Sequence, residues 1–89
     1  MIFRTFRSFP VEIEAIQFTD KDKNKIYNSM SGNRWPDFED DKPVLKFTTI
    51  HGDTAIARIG DWIVKDVSNG AYYPVKDEVF RKRYNPISK

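Results

Sequence analysis

Residues 60–75 read GDWIVKDVSNGAYYPV, and this stretch decides the fold. Two apolar runs, Trp62 to Val67 and Ala71 to Val75, flank Ser68-Asn69-Gly70. An Asn-Gly loop between such runs predicts a β-hairpin, because both residues accept the positive φ that tight hairpin turns need. Pro74, which has no N–H for a ladder, assigns the second strand to a sheet edge.

Immediately upstream, residues 44–50 and 54–59 predict two more strands, joined at His51-Gly52-Asp53. Arg58-Ile59-Gly60-Asp61 links the two hairpins into an expected four-strand meander. Residues 11–19, VEIEAIQFT, supply a fifth strand: Val11, Ile13 and Ala15 alternate with Glu12 and Glu14, after which Ile16 and Phe18 fall on the opposite face. A bulge near Ala15 or Ile16 explains that shift, and so does a strand covered on both sides.

Before that strand, Phe3, Phe6 and Phe9 precede Pro10 and suggest an irregular arm resting on the core. After it, Thr19 and Asp22 form a variant capping box for a short helix with Ile26, Tyr27 and Met30 inward and Gly32 as its stop. Residues 33–43, NRWPDFEDDKP, follow no period and are expected to be the longest loop. Asp77 is expected to cap a last helix, with Arg81, Lys82 and Arg83 at its end, an apolar stripe of Val79, Phe80 and Tyr84, and Pro86 beyond. The expected fold is therefore α+β: an antiparallel sheet of four to five strands, one helix after the first strand and a short C-terminal helix, in a single domain spanning residues 1–89.

Composition narrows function mainly by exclusion. The 15% aromatic content suits a folded chain, and 15 basic against 13 acidic residues makes a dedicated nucleic-acid binder the weaker expectation. Without cysteine there are no disulfides, thiolate metal sites or cysteine nucleophiles, and one histidine falls short of the usual zinc sets. The start, MIFRTFRSFP, lacks the continuous apolar run of a signal peptide or membrane span, so a cytoplasmic protein without membrane association is expected.

Three segments, EAIQFT, GDWIVKDVSNG and YYPVKDEVFRKRYNPI, resemble in the same order a family of small bacteriophage and prophage proteins marked by a Pro-Gly-Asp-Tyr-Gly-like segment. The chain departs at that signature, with Ile59-Gly60-Asp61-Trp62, which keeps the turn but adds an indole beside it. The family has no settled activity, so no catalytic residue carries over. The resemblance implies a phage accessory product in the bacterial host cytoplasm, a class that often inhibits a host enzyme, blocks a defence system or sequesters a signal.

Four sets of side chains are candidates for contact. His51 is the natural place for a general acid or base, but no nucleophile or carboxylate can be assigned to it. Asp37, Glu39, Asp40 and Asp41 lack the spacing of a calcium loop; with Trp35 and Phe38 as anchors they make a negative patch for a basic surface. Adjacent Tyr72 and Tyr73 point to opposite faces, and Tyr72 with Trp62, Lys65 and Arg58 is a set able to stack a base and hold its phosphate. Arg81 to Arg83 suit phosphate or acidic protein, although their helix position already accounts for them. The reading preferred from sequence is a non-enzymatic phage protein, without metal or cofactor, that occludes a host or anti-defence target through Trp35, Phe38, Asp40, Asp41, Trp62 and Tyr72. The alternative is a sponge for a signalling nucleotide, which self-association into a homo-oligomer would favour.

Overall fold

A computed structural model describes residues 3–8, 11–83 and 85–86. The elements run β1 (Arg4–Ser8), β2 (Val11–Gln17), α1 (Lys23–Ser29), β3 (Arg34–Glu39), β4 (Lys42–Thr48), β5 (Thr54–Arg58), β6 (Trp62–Asp66), β7 (Tyr72–Val75), α2 (Asp77–Arg83) and β8 (Asn85–Pro86). The α+β class, the antiparallel pairing and the C-terminal helix are as expected, but the two hairpins are divided between sheets rather than joined in one meander. One sheet has the order β7-β6-β2-β1-β8 and the other β3-β4-β5.

β2 explains the division. It sits at the centre of the larger sheet, between β1 and β6, in an unbroken register from Ile13–Asp66 to Gln17–Trp62. Without a bulge, the phase shift in VEIEAIQF reflects a strand with apolar packing on both faces. Ile13 and Ala15 join Val64, Val75 and Phe80 on the α2 side. Ile16 packs with Phe18, Ile26, Leu45, Phe47, Ile63 and Tyr72 on the side of α1 and the smaller sheet. The molecule is layered as α2, the larger sheet, then α1 with the smaller sheet.

Four local expectations change. The arm is strand β1, paired from Arg4–Ala15 to Ser8–Val11, because β2 offers it a ladder whatever its aromatic spacing. Phe3 is buried in the core as expected, whereas Phe9, Pro10 and the side chain of Phe6 lie outside the described residues. Thr19 Oγ1 accepts the Asp22 N–H at 3.2 Å, but the helix proper starts at Lys23. Gly32, at φ +83°, shapes the turn into β3 rather than ending the helix, which stops at Ser29. The first bond of α2 runs from the Phe80 N–H to the Lys76 carbonyl, so Asp77 is a first-turn residue and not the cap. Phe80 is buried, Val79 is exposed and Tyr84 lies outside the described residues. Pro74 occupies edge strand β7, as its missing N–H requires.

The largest correction concerns residues 33–43, which form a hairpin and not a loop. Arg34 to Glu39 pair with Phe47 to Lys42, and Asp40-Asp41 make the two-residue turn with φ of +51° and +61°. Both values suit a type I′ turn, whose twist matches that of the flanking strands. Pro36 is tolerated on the edge strand β3, and Pro43 lies beyond the last β4–β5 pair, Val44–Arg58. Aspartate is a poorer occupant of such a turn than Asn-Gly, and two adjacent carboxylates repel. Asp40→Asn/Asp41→Gly is therefore expected to raise unfolding stability by about 0.5–1 kcal/mol in urea titrations, and a loss of stability would overturn the turn assignment.

Candidate functional site

The hairpin is anchored at its base and bare at its tip. Arg34 donates from Nε to the Tyr27 carbonyl at 2.6 Å and from Nη1 to the Gly32 carbonyl at 3.1 Å, and its guanidinium lies 4.6 Å from the Tyr27 ring centroid. These bonds fix the start of β3 against α1. Further along, Lys46 pairs with Asp37 at 2.9 Å, and Arg58 reaches Glu39 with two bonds, Nε to Oε1 at 2.5 Å and Nη2 to Oε2 at 3.0 Å. The Lys46 bond holds Asp37 below the usual carboxylate range, with the Phe38 N–H assisting, and the Arg58 bond does the same for Glu39. Both pairs are solvent-exposed, so their role is to order the face rather than to add much stability.

Toward the tip, Phe38 is 69% exposed, whereas Trp35, 39% exposed, lies near the base opposite Lys46 on the other face. Phe38 stands opposite Pro43 on the core-facing side of the smaller sheet, but beyond the end of the core. Ile59, two residues past the buried Ala57, is 43% exposed at the same end. A cleft of about 580 Å³ opens here against Pro43, Val44 and Ile59, with Asp20, Glu39, Asp40, Lys42 and Arg58 around it. The turn Ile59-Gly60-Asp61 below it is latched to the residue just past β2: Gly60 N–H donates to the Phe18 carbonyl at 2.8 Å, and Phe18 N–H to that of Asp61 at 2.7 Å.

Of the side chains singled out from sequence, Trp35, Phe38, Asp40 and Asp41 share one hairpin, and Arg58 reaches it through Glu39. The nucleotide-stacking set does not assemble. Tyr72 is 7% exposed, wedged between Phe3 and Phe47, with its hydroxyl accepting the Ser31 N–H at 3.3 Å. Tyr73, which faces the other way, packs on the α2 side. Trp62 lies on that α2 side too, flat on Phe80, while Lys65 pairs across the strands with Glu14 and Tyr72 on the opposite face. Compared with protein-family models, curated proteins and solved structures, the chain matches none of them.

His51 is exposed in the β4–β5 turn. Among the described residues no group of three or more His, Cys, Asp or Glu is placed to hold a metal ion, and no helix is long and apolar enough to cross a membrane. Lys82 and Arg83 are exposed at the end of α2, while Arg81 turns back to Asp77 at 2.9 Å. Sequence reasoning missed Pro43, Ile59 and Asp20 as parts of the cleft. Pro43 opposite Phe38 follows once the Asp-Asp turn is recognised, whereas Asp20 is brought there only by the tertiary fold.

Proposed function

We propose that this protein is a non-enzymatic accessory product of bacteriophage or prophage origin that binds and blocks a host or anti-phage-defence protein in the bacterial cytoplasm. The resemblance in EAIQFT, GDWIVKDVSNG and YYPVKDEVFRKRYNPI supports the origin. The observation that carries the mode of action is Phe38, 69% exposed on an anchored hairpin, with Ile59 43% exposed at the same end; Trp35, 39% exposed, lies nearer the base on the other face of the hairpin. Leaving such aromatics in water is unfavourable, and large exposed apolar side chains gathered at one place mark contact surfaces. Aromatic anchors on a rigid element lose little entropy on binding, which is what occlusion by a small domain needs.

The test is native mass spectrometry of the protein recovered from infected or expressing bacteria. A co-purified polypeptide is expected with the wild type and is expected to be lost with Phe38→Ser, an exposed substitution that leaves the core intact. An added mass of a few hundred daltons in place of a polypeptide would instead establish the nucleotide-sequestering alternative.

A further inference from the structure

We infer that the cleft at the hairpin end takes a partner segment in which an apolar side chain lies beside Arg or Lys; this rests on the reading that the hairpin end is the binding surface. The cleft has apolar lining in Pro43, Val44 and Ile59, and the exposed Phe38 is the cross-strand partner of Pro43. At about 580 Å³ it has room for a large aliphatic or aromatic side chain with its neighbours.

Charge selects what flanks that side chain. Three carboxylates around this end are already matched, Asp20 by Lys23, Asp37 by Lys46 and Glu39 by Arg58. Asp40 and Asp41 have no ion pair among the described residues, and Lys42 offsets only one of them. Asp61 adds a further carboxylate, its Oδ2 accepting the Arg58 N–H at 3.0 Å. The surplus at this end is thus negative in a chain whose net charge is +2. The turn itself does not call for it: the β6–β7 hairpin of the same chain turns on Ser68-Asn69-Gly70, with Gly70 at φ +74° and no charge.

A phosphate-bearing ligand would meet this surplus as repulsion, whereas a guanidinium beside an apolar anchor satisfies both halves of the site. With Glu39 paired to Arg58, Asp40 in the cleft lining, its neighbour Asp41 and, beyond Arg58, Asp61 are the carboxylates open to such a group.

The experiment is selection of a random displayed-peptide library on the immobilised full chain, with rebinding to Asp40→Asn/Asp41→Gly and to Phe38→Ser. Because the double variant suits its turn better than the wild type, weaker binding to it does not arise from unfolding. Recovered peptides are expected to join Leu, Ile or Phe to Arg or Lys, to bind the double variant about tenfold more weakly and to weaken as salt is raised. Peptides without basic residues, or ones that hold the double variant equally well, would overturn the basic partner while leaving the hairpin surface standing if Phe38→Ser weakens them. Failure to recover any peptide, or binding that neither variant alters, would overturn both.

Discussion

Phe47→Ala is expected to destabilise the protein by about 3–5 kcal/mol, the largest effect of any single substitution considered. Phe47 is 1% exposed on β4, and its ring meets Tyr72 of β7 edge-on, with centroids 6.5 Å apart and planes at 74°. Tyr72 in turn lies 6.0 Å from the Phe3 ring. Phe47 therefore joins the smaller sheet to the larger through side chains, where among the described residues no backbone ladder links the two. Removing its ring leaves a cavity that two independent sheets cannot close without sliding over one another. Against a total stability of about 5–15 kcal/mol for a domain of ordinary size, the loss shifts Tm by more than about 12 °C. Thermal and urea unfolding of the variant measure it directly. A cost below about 1 kcal/mol would mean that the sheets do not pack through this ring.

The same contact shows why the division into sheets was not legible in the sequence. Hairpins announce themselves locally, through Ser68-Asn69-Gly70 or His51-Gly52-Asp53, but the sheet each joins depends on partners far along the chain. The ladder from Ile13–Asp66 to Gln17–Trp62 takes β6 into a sheet with β2 and away from β5. VEIEAIQF carried the consequence as one of two readings, since its two apolar phases fit either a bulge or cover on both faces, and the unbroken register selects the second. That cover also hid the fate of the tyrosines. Alternation sends Tyr72 and Tyr73 to opposite sides, but with both sides packed it does not say which ring is buried deeper. The β3–β4 hairpin escaped because Pro36 and Pro43 interrupt the strand pattern around Trp35 and Phe38, and Asp40-Asp41 stand where Asn-Gly usually marks a type I′ turn. Trp35, Phe38, Asp40 and Asp41 were nonetheless recognisable, as aromatics and acids concentrated where no core period accounts for them.

Trp62→Ala is expected to cost about 2–4 kcal/mol, somewhat less than a fully buried ring because Trp62 is only half-buried. Its indole lies parallel to Phe80, at 4.0 Å between centroids and 3° between planes, and its Nε1–H donates to Asp77 Oδ1 at 2.8 Å. Asp77 also accepts Gln17 Nε2 at 3.3 Å and Arg81 Nε at 2.9 Å, so one carboxylate gathers β2, β6 and α2. Trp62→Phe keeps a ring on Phe80 and gives up the N–H, and is expected to cost less than the alanine variant. The Trp62 bond, followed by that of Arg81, holds Asp77 below its ordinary value of 3.8. A carboxylate with a depressed folded pKa contributes stability above its unfolded pKa and loses that contribution as pH falls through the lower folded value. The stability gap between wild type and Asp77→Asn is therefore expected to be widest at neutral pH and to narrow as the solution is acidified below about pH 4, whereas the Trp62→Ala gap retains the part due to stacking. Urea unfolding of the three proteins across that range separates the two contributions. An Asp77→Asn gap that stays constant with pH would show that the ionised carboxylate does not hold α2 on the sheet.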